Sequence, residues 1–302
     1  MPRLHVHPFL FVPLLFVLLR MQSAAAVPSE CQDVWRISLH AIAQLPADEQ
    51  NFSKLKYYRW QNNRWKLSDV ETFFDTQQAE IPLIFFVLGF TLTTSEVTRT
   101  GFDVVRNFDP NKSCRIVFVD WYSDRTDDTY RRDIRKRLPI ADNTGDHLAM
   151  LLQKLKPQSK VCLFGFSLGS RILCGATEAL RKNDKRPEGL RLHLVISGAA
   201  IDWDVFAKGH RHGDVPQVAE KIMVTYSPDD FVLKFYPMMH GLRYRSAALG
   251  LKGLSMQSID PEYRDQFENI NIDRYISGKH QTLPHVQNPV FRSRIKTYFF
   301  FE

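Results

Sequence analysis

The chain has 302 residues, 44% hydrophobic and 12% aromatic, with a formal net charge of +7. That is enough material for one large domain or two small ones. The basic residues are scattered and no nucleic-acid motif accompanies them, so nucleic acid is not the expected partner; the charge reads first as an ordinary solvated surface, with peripheral contact with anionic membrane surfaces as the alternative.

In chain order, residues 1–26 read as a cleaved secretory signal peptide. Arg3 gives a positive start, an apolar run covers 9–19 with one interruption at Pro13, and Ser23, Ala24, Ala25 and Ala26 supply small residues. The run is about half of the roughly 20 residues a spanning helix needs, and an uncleaved anchor is the alternative. Losing Arg3 and Arg20 leaves a charge of about +5. The remainder, 27–302, is expected to be a single soluble domain, secreted or periplasmic.

A short first strand is expected at 34–39, then an aromatic hairpin, 57–60 and 65–67, turning at Asn62 and Asn63. A short helix follows at 68–74, opened by Ser68. The continuous apolar run 81–88 reads as a strand buried on both faces. An amphipathic helix is expected at 94–108, a buried strand at 115–119, and a helix with a leucine stripe at 144–155. Further strands fall at 161–164, 192–196, 222–226 and 270–272, and a last helix at 290–300. Strands alternating with helices make this an α/β protein with a mostly parallel sheet covered on both sides. Sites in such sheets lie at the carboxyl ends of the strands. The segment 231–267 is long for a loop and is expected either to roof the site as a lid or to pack in the core.

The chemistry centres on Gly165-Phe166-Ser167-Leu168-Gly169, between the 161–164 strand and a helical segment at 171–180. This is the G-x-S-x-G nucleophile elbow in its required context of strand, sharp turn and helix. A serine hydroxyl is a weak nucleophile at neutral pH and needs a base that is oriented by an acid. His280 fits the base, in a Gly-Lys-His turn beyond the last strand; His240 and His285 are alternatives. Asp230, just beyond the 222–226 strand, fits the acid; its neighbour Asp229, and Asp202 or Asp204 after the previous strand, are alternatives. The oxyanion needs donors already in place. The backbone N–H groups of Leu168 and Phe90 are expected to supply them, Gly89 allowing a close approach.

Among the four cysteines, Cys162 and Cys174 read as buried small side chains, and Cys31 with Cys114 is the one pairing to consider. No C-x-x-C pair or His/Cys cluster suggests a metal, and no cofactor is implied. Asn51 and Asn111 begin glycosylation sequons.

The succession Leu88-Gly89-Phe90, Val119-Asp120-Trp121, the elbow, Ser227-Pro228-Asp229-Asp230 and Gly278-Lys279-His280 resembles the α/β-hydrolase superfamily, from about residue 80 to the C-terminus. The first half is similar to secreted lipases, but it has Leu88 and Phe166 where those carry histidines, and the acid lacks their Asp-Pro-Ala context. The second half looks like uncharacterised bacterial secreted α/β hydrolases, in which Asp230 would match the acid and His280 the base. The resemblance implies the α/β-hydrolase fold and a serine hydrolase acting on a small-molecule or lipid carboxylic ester. A peptidase or amidase, or a non-catalytic binding protein on the same fold, are the alternative readings.

Overall fold

The computed structural model describes residues 33–302 apart from 91, 108–112, 125–128, 184 and 241–243. The expected signal peptide, Cys31, and Asn111 of the second sequon therefore lie outside the described residues. Nine strands form one sheet: β1 (Asp33–Ser38), β2 (Lys56–Gln61), β3 (Arg64–Ser68), β4 (Leu83–Val87), β5 (Arg115–Asp120), β6 (Lys160–Phe166), β7 (Arg191–Ser197), β8 (Lys221–Tyr226) and β9 (Phe267–Asn271). Their order is β3-β2-β1-β5-β4-β6-β7-β8-β9. β2 pairs antiparallel with both β1 and β3 near one edge, and every other pairing is parallel. This is the α/β arrangement expected from the sequence, a mostly parallel sheet, with β6, the elbow strand, flanked on both sides by other parallel strands.

The edge hairpin turns at Asn62 and Asn63, with φ of 53° and 57°. A two-residue turn with both φ positive has the twist that a hairpin needs, and asparagine tolerates that region. The central strands lack polar alternation because helices cover both faces. In β4, Leu83, Phe85 and Val87 join one core while Ile84 and Phe86 join the other. The first core takes in Leu148 and Leu152 from the helix Tyr130–Gln153 and Ile172, Leu173 and Ala176 from the helix Leu168–Asn183. The second takes in Val97 and Phe102 from the helix Thr94–Val105, and Phe291, Ile295 and Phe299 from the helix Pro289–Phe300.

Several boundaries differ from the sequence-based expectation. The helix expected at 144–155 starts at Tyr130 and contains Pro139. Its first half is highly charged, so the apolar stripe that marks 144–155 fades there, and an internal proline ordinarily argues against helix. Burial of Ile134, Ile140 and Ala141 holds this half in place. The short helix at 70–75 is capped by Asp69, which accepts from the Thr72 N–H at 2.6 Å, and not by Ser68, the last residue of β3. β9 starts three residues before the expected 270. Asn51 is buried, and its side-chain amide donates to the Pro46 carbonyl at 3.0 Å and to Asp48 at 3.1 Å, so this sequon is part of a helix cap. Cys162 and Cys174 are fully buried, and burial pushes both thiols up. No helix among the described residues is long and apolar enough to cross a membrane.

Candidate active site

β6 carries the chain to Phe166 at the carboxyl edge of the sheet, and the helix Leu168–Asn183 begins two residues later. Ser167 makes the whole turn. Its φ is 56°, a left-handed conformation that costs a non-glycine residue about 1 kcal/mol or more. The surrounding backbone enforces it: the Ser167 N–H donates to the Ser197 carbonyl at 3.0 Å, and the Ser167 carbonyl accepts from Ser170 at 3.1 Å and Ala200 at 3.2 Å. Close packing leaves no room for alternatives. A Cβ on Gly169 would lie 1.8 Å from the Val87 carbonyl oxygen, and one on Gly89 would lie 2.9 Å from the Ser167 Cβ. The loop after β4 is thus pressed directly against the serine. That loop carries Phe90, next to Gly89, and Leu168 follows Ser167 at the start of the elbow helix, so the two expected oxyanion donors lie on segments that adjoin the serine. Both side chains are buried, at 8% and 1% exposure.

The two partners arrive from the strands on one side of β6. Asp230 follows β8 in a turn closed by its own N–H donating to the Ser227 carbonyl at 3.1 Å. It is fully buried, and its Oδ1 accepts from the Leu233 N–H at 3.0 Å. The other oxygen, Oδ2, lies 2.7 Å from His280 Nδ1, and His280 Nε2 lies 2.9 Å from Ser167 Oγ. The Phe231 N–H donates to the Gly278 carbonyl at 3.0 Å, which ties the acid-bearing loop to the turn that carries His280. With the acid holding Nδ1–H, Nε2 presents a lone pair to the serine hydroxyl. A partly exposed serine, a nearly covered imidazole and a buried carboxylate can together activate a nucleophile at neutral pH.

The alternative residues are engaged elsewhere. Asp202 accepts from the Tyr236 hydroxyl at 3.0 Å and also from the Tyr244 hydroxyl. Asp229 is exposed and pairs with Lys234 at 3.1 Å, and Asp204 lies 3.4 Å from His210. His240 packs against the rings of Tyr236 and Tyr244, 4.7 and 4.4 Å away. His285 is fully buried and shares a 2.9 Å hydrogen bond between its Nδ1 and Ser197 Oγ; Ser197 in turn meets Thr225 Oγ1 at 2.8 Å.

This last chain lies directly behind the site. Phe166 stands between the two histidines, with its ring centroid 4.9 Å from that of His280 and 5.2 Å from that of His285. Burial, reinforced by nearby His280, pushes the His285 pKa down to about 3, so it stays neutral beneath the base. Sequence reading missed the supporting pair Ser197 and Thr225. The available signal was a hydroxyl at or near the carboxyl end of each of two adjacent buried strands. It also missed the Asp142 carboxylate, which takes both the Nε and Nη2 of Arg171 at 2.8 Å and so clamps the elbow helix to the preceding helix.

The described parts of 231–267 are anchored from below. Leu233, Tyr236, Met239, Leu249, Leu254 and Ile259 all enter the first core. Among the described residues no group of three or more His, Cys, Asp and Glu side chains is arranged to hold a metal ion.

Over 163 residues the chain is 29% identical to the rice (Oryza sativa subsp. japonica) transmembrane and coiled-coil domain-containing protein STS1. The match takes in 53% of this chain and 22% of that protein. Among solved structures, a mutant of YbtT, the type II thioesterase of a yersiniabactin biosynthetic pathway, overlaps 74% of this chain and 95% of its own, at 15% identity and a TM-score of 0.36. That overlap is too loose to bear on the site. A family model described as a protein of unknown function, DUF726, matches residues 127–288, a stretch that holds Ser167, Asp230 and His280. Because the matched stretch is more than half of the chain, the protein belongs to the DUF726 family.

Proposed function

We propose that this chain is a serine hydrolase that cleaves a carboxylic ester through an acyl-enzyme. The observation that carries the reading is the continuous relay from Ser167 Oγ through His280 to the buried Asp230, at 2.9 and 2.7 Å, on a serine held at positive φ. Ser167 Oγ attacks the carbonyl carbon while its proton passes to His280 Nε2. Asp230 keeps the imidazole in the tautomer with its proton on Nδ1 and stabilises the imidazolium that forms. The carbonyl oxygen becomes an oxyanion facing the backbone N–H groups of Leu168 and Phe90, donors of the kind worth about 3–4 kcal/mol of barrier. The tetrahedral intermediate collapses, the C–O bond to the alcohol breaks, and the alcohol leaves with the proton from His280. Water then repeats the sequence on the acyl group, with His280 taking its proton, and frees the acid and Ser167.

An ester is the first choice over an amide because an alkoxide is a far better leaving group than an amide nitrogen. The test compares short-chain p-nitrophenyl esters with the matching p-nitroanilides. The reading expects ester turnover that Ser167→Ala removes. Anilide turnover at equal rates would make the protein a peptidase or amidase, and absence of both in folded protein would contradict the hydrolase reading.

A further inference from the structure

The segment that follows Asp230 is built as an amphipathic turn of helix with the wrong outer face for water. The 3₁₀ turn Leu233–Phe235 runs straight into the helix Tyr236–His240. Leu233, Tyr236 and Met239 point inward and are buried. Phe231, Phe235 and Met238, spaced four and three residues apart, stand on the outside and are 66%, 45% and 47% exposed. The Phe231 and Phe235 rings also meet edge to face, at 5.2 Å, so these two form one apolar surface with Met238 one turn further on. Large apolar side chains scattered singly over a surface need no explanation, but three aligned on one rigid face do.

Basic side chains flank this face on the side of Met238 and Met239. The helix Tyr130–Gln153 starts beside it, with Arg131 Nε donating to the Met238 carbonyl and Arg135 Nε to the Met239 carbonyl, each at 3.1 Å. Arg132, Arg135 and Lys136 are exposed on that helix, and Lys279 is exposed beside His280. Among the described residues of 129–136 and 229–240, Asp133 and Asp230 are fully buried and Asp229, paired with Lys234, is exposed; Asp273 accepts from the Asp229 N–H, and Asp127 and Asp128 precede the first segment in the sequence. Exposed apolar side chains beside arginine and lysine match a membrane interface. The hydrocarbon part sinks to the level of the acyl chains, and the cations sit among anionic headgroups.

We propose that the face of Phe231, Phe235 and Met238 docks on an anionic phospholipid surface. The docked orientation turns the loops carrying Asp230 and His280 toward the bilayer. The consequence for a lipid ester substrate rests on the hydrolase reading above, whereas the docking does not. The net charge of about +5 that residues 27–302 retain favours the same encounter over a longer range.

The test is co-sedimentation of residues 27–302, which hold the whole sheet and both helical layers but not the apolar run 9–19, with phospholipid vesicles. All proteins carry Ser167→Ala, so binding is read without turnover. Vesicles are phosphatidylcholine alone or mixed with phosphatidylserine. The expected result is binding to the mixed vesicles at least about tenfold tighter than to phosphatidylcholine, weakening as salt is raised. The triple change Phe231→Ser, Phe235→Ser and Met238→Ser should cut that binding by roughly tenfold or more. The pair Arg132→Gln and Lys136→Gln should reduce the preference for phosphatidylserine while keeping the far-UV spectrum and melting temperature. Equal binding to both vesicle types, no binding to either, or a triple variant that sediments like its parent would overturn the proposal. A catalytically silent protein that still docks would defeat the hydrolase reading and leave the docking intact; a hydrolase that never sediments would do the reverse.

Discussion

At the residue scale, the site depends on three side chains contributed by three separate loops. Replacing Asp230 with Asn keeps the volume and an acceptor for the Leu233 N–H but offers His280 Nδ1 an uncharged partner. The imidazole can then adopt the wrong tautomer, and kcat should fall by about 10⁴-fold with little change in KM. Steady-state kinetics on a soluble ester, with a melting curve to confirm folding, checks this; a fall of less than tenfold would remove Asp230 from the mechanism. Ser167, Asp230 and His280 were legible because each stands just beyond a strand that its apolar residues announce, in the chain order that an elbow enzyme requires. Asp202 satisfies the same rule of position, and sequence could not separate it from Asp230. What separates them is Tyr236 and Tyr244, whose hydroxyls occupy Asp202 from a segment more than thirty residues away. Contacts of that kind arise from tertiary packing and leave no local pattern.

At the element scale, the elbow turns where β6 meets its helix, and the helix lies close against β4. Gly169→Ala places a methyl group 1.8 Å from the Val87 carbonyl oxygen, a backbone atom that cannot yield without displacing β4. Overpacking against backbone costs about 3 kcal/mol or more. Urea unfolding should show that loss, or the variant should fail to accumulate as folded protein. A variant as stable as the parent would mean that the helix does not approach β4 so closely. The same element shows why the helix Tyr130–Gln153 was half invisible. Its second half carries an apolar stripe, whereas its first half is held by Ile134 and Ile140 at sparse positions and by arginines that reach the 238–239 backbone. Periodicity detects a wide apolar face and not a helix held by polar contacts with another segment.

At the scale of the whole molecule, three buried histidines link stability to pH. Burial pushes His193 down to about 4 and His212 and His285 down to about 3, against an ordinary value of 6.5. Below pH 6.5 the unfolded chain takes up protons at these positions while the folded chain does not, so stability is full above 6.5 and falls as pH drops toward the folded values. Each contributes about 1.4 kcal/mol per pH unit in that window. His40 acts in the opposite sense: its hydrogen bond to Asp120 raises its pKa, so its contribution is present below 6.5 and is lost as pH rises through the raised value. His240 is also lowered, by burial and by nearby Arg171, so four groups stand against one, and urea unfolding should show a net loss of about 3 kcal/mol or more between pH 7.5 and 5.5. A stability unchanged over that range would mean that these histidines are not held neutral.

The central claim is that Ser167 is an activated nucleophile and not only the residue that turns the chain. Incubating the folded chain with a fluorophosphonate and locating the adduct by peptide mass spectrometry tests it most directly. The account predicts one adduct, on the peptide containing Ser167, that is absent from Ser167→Ala and strongly slowed in His280→Ala. A folded wild type that stays unlabelled, or that labels equally well after Ser167→Ala, would contradict it.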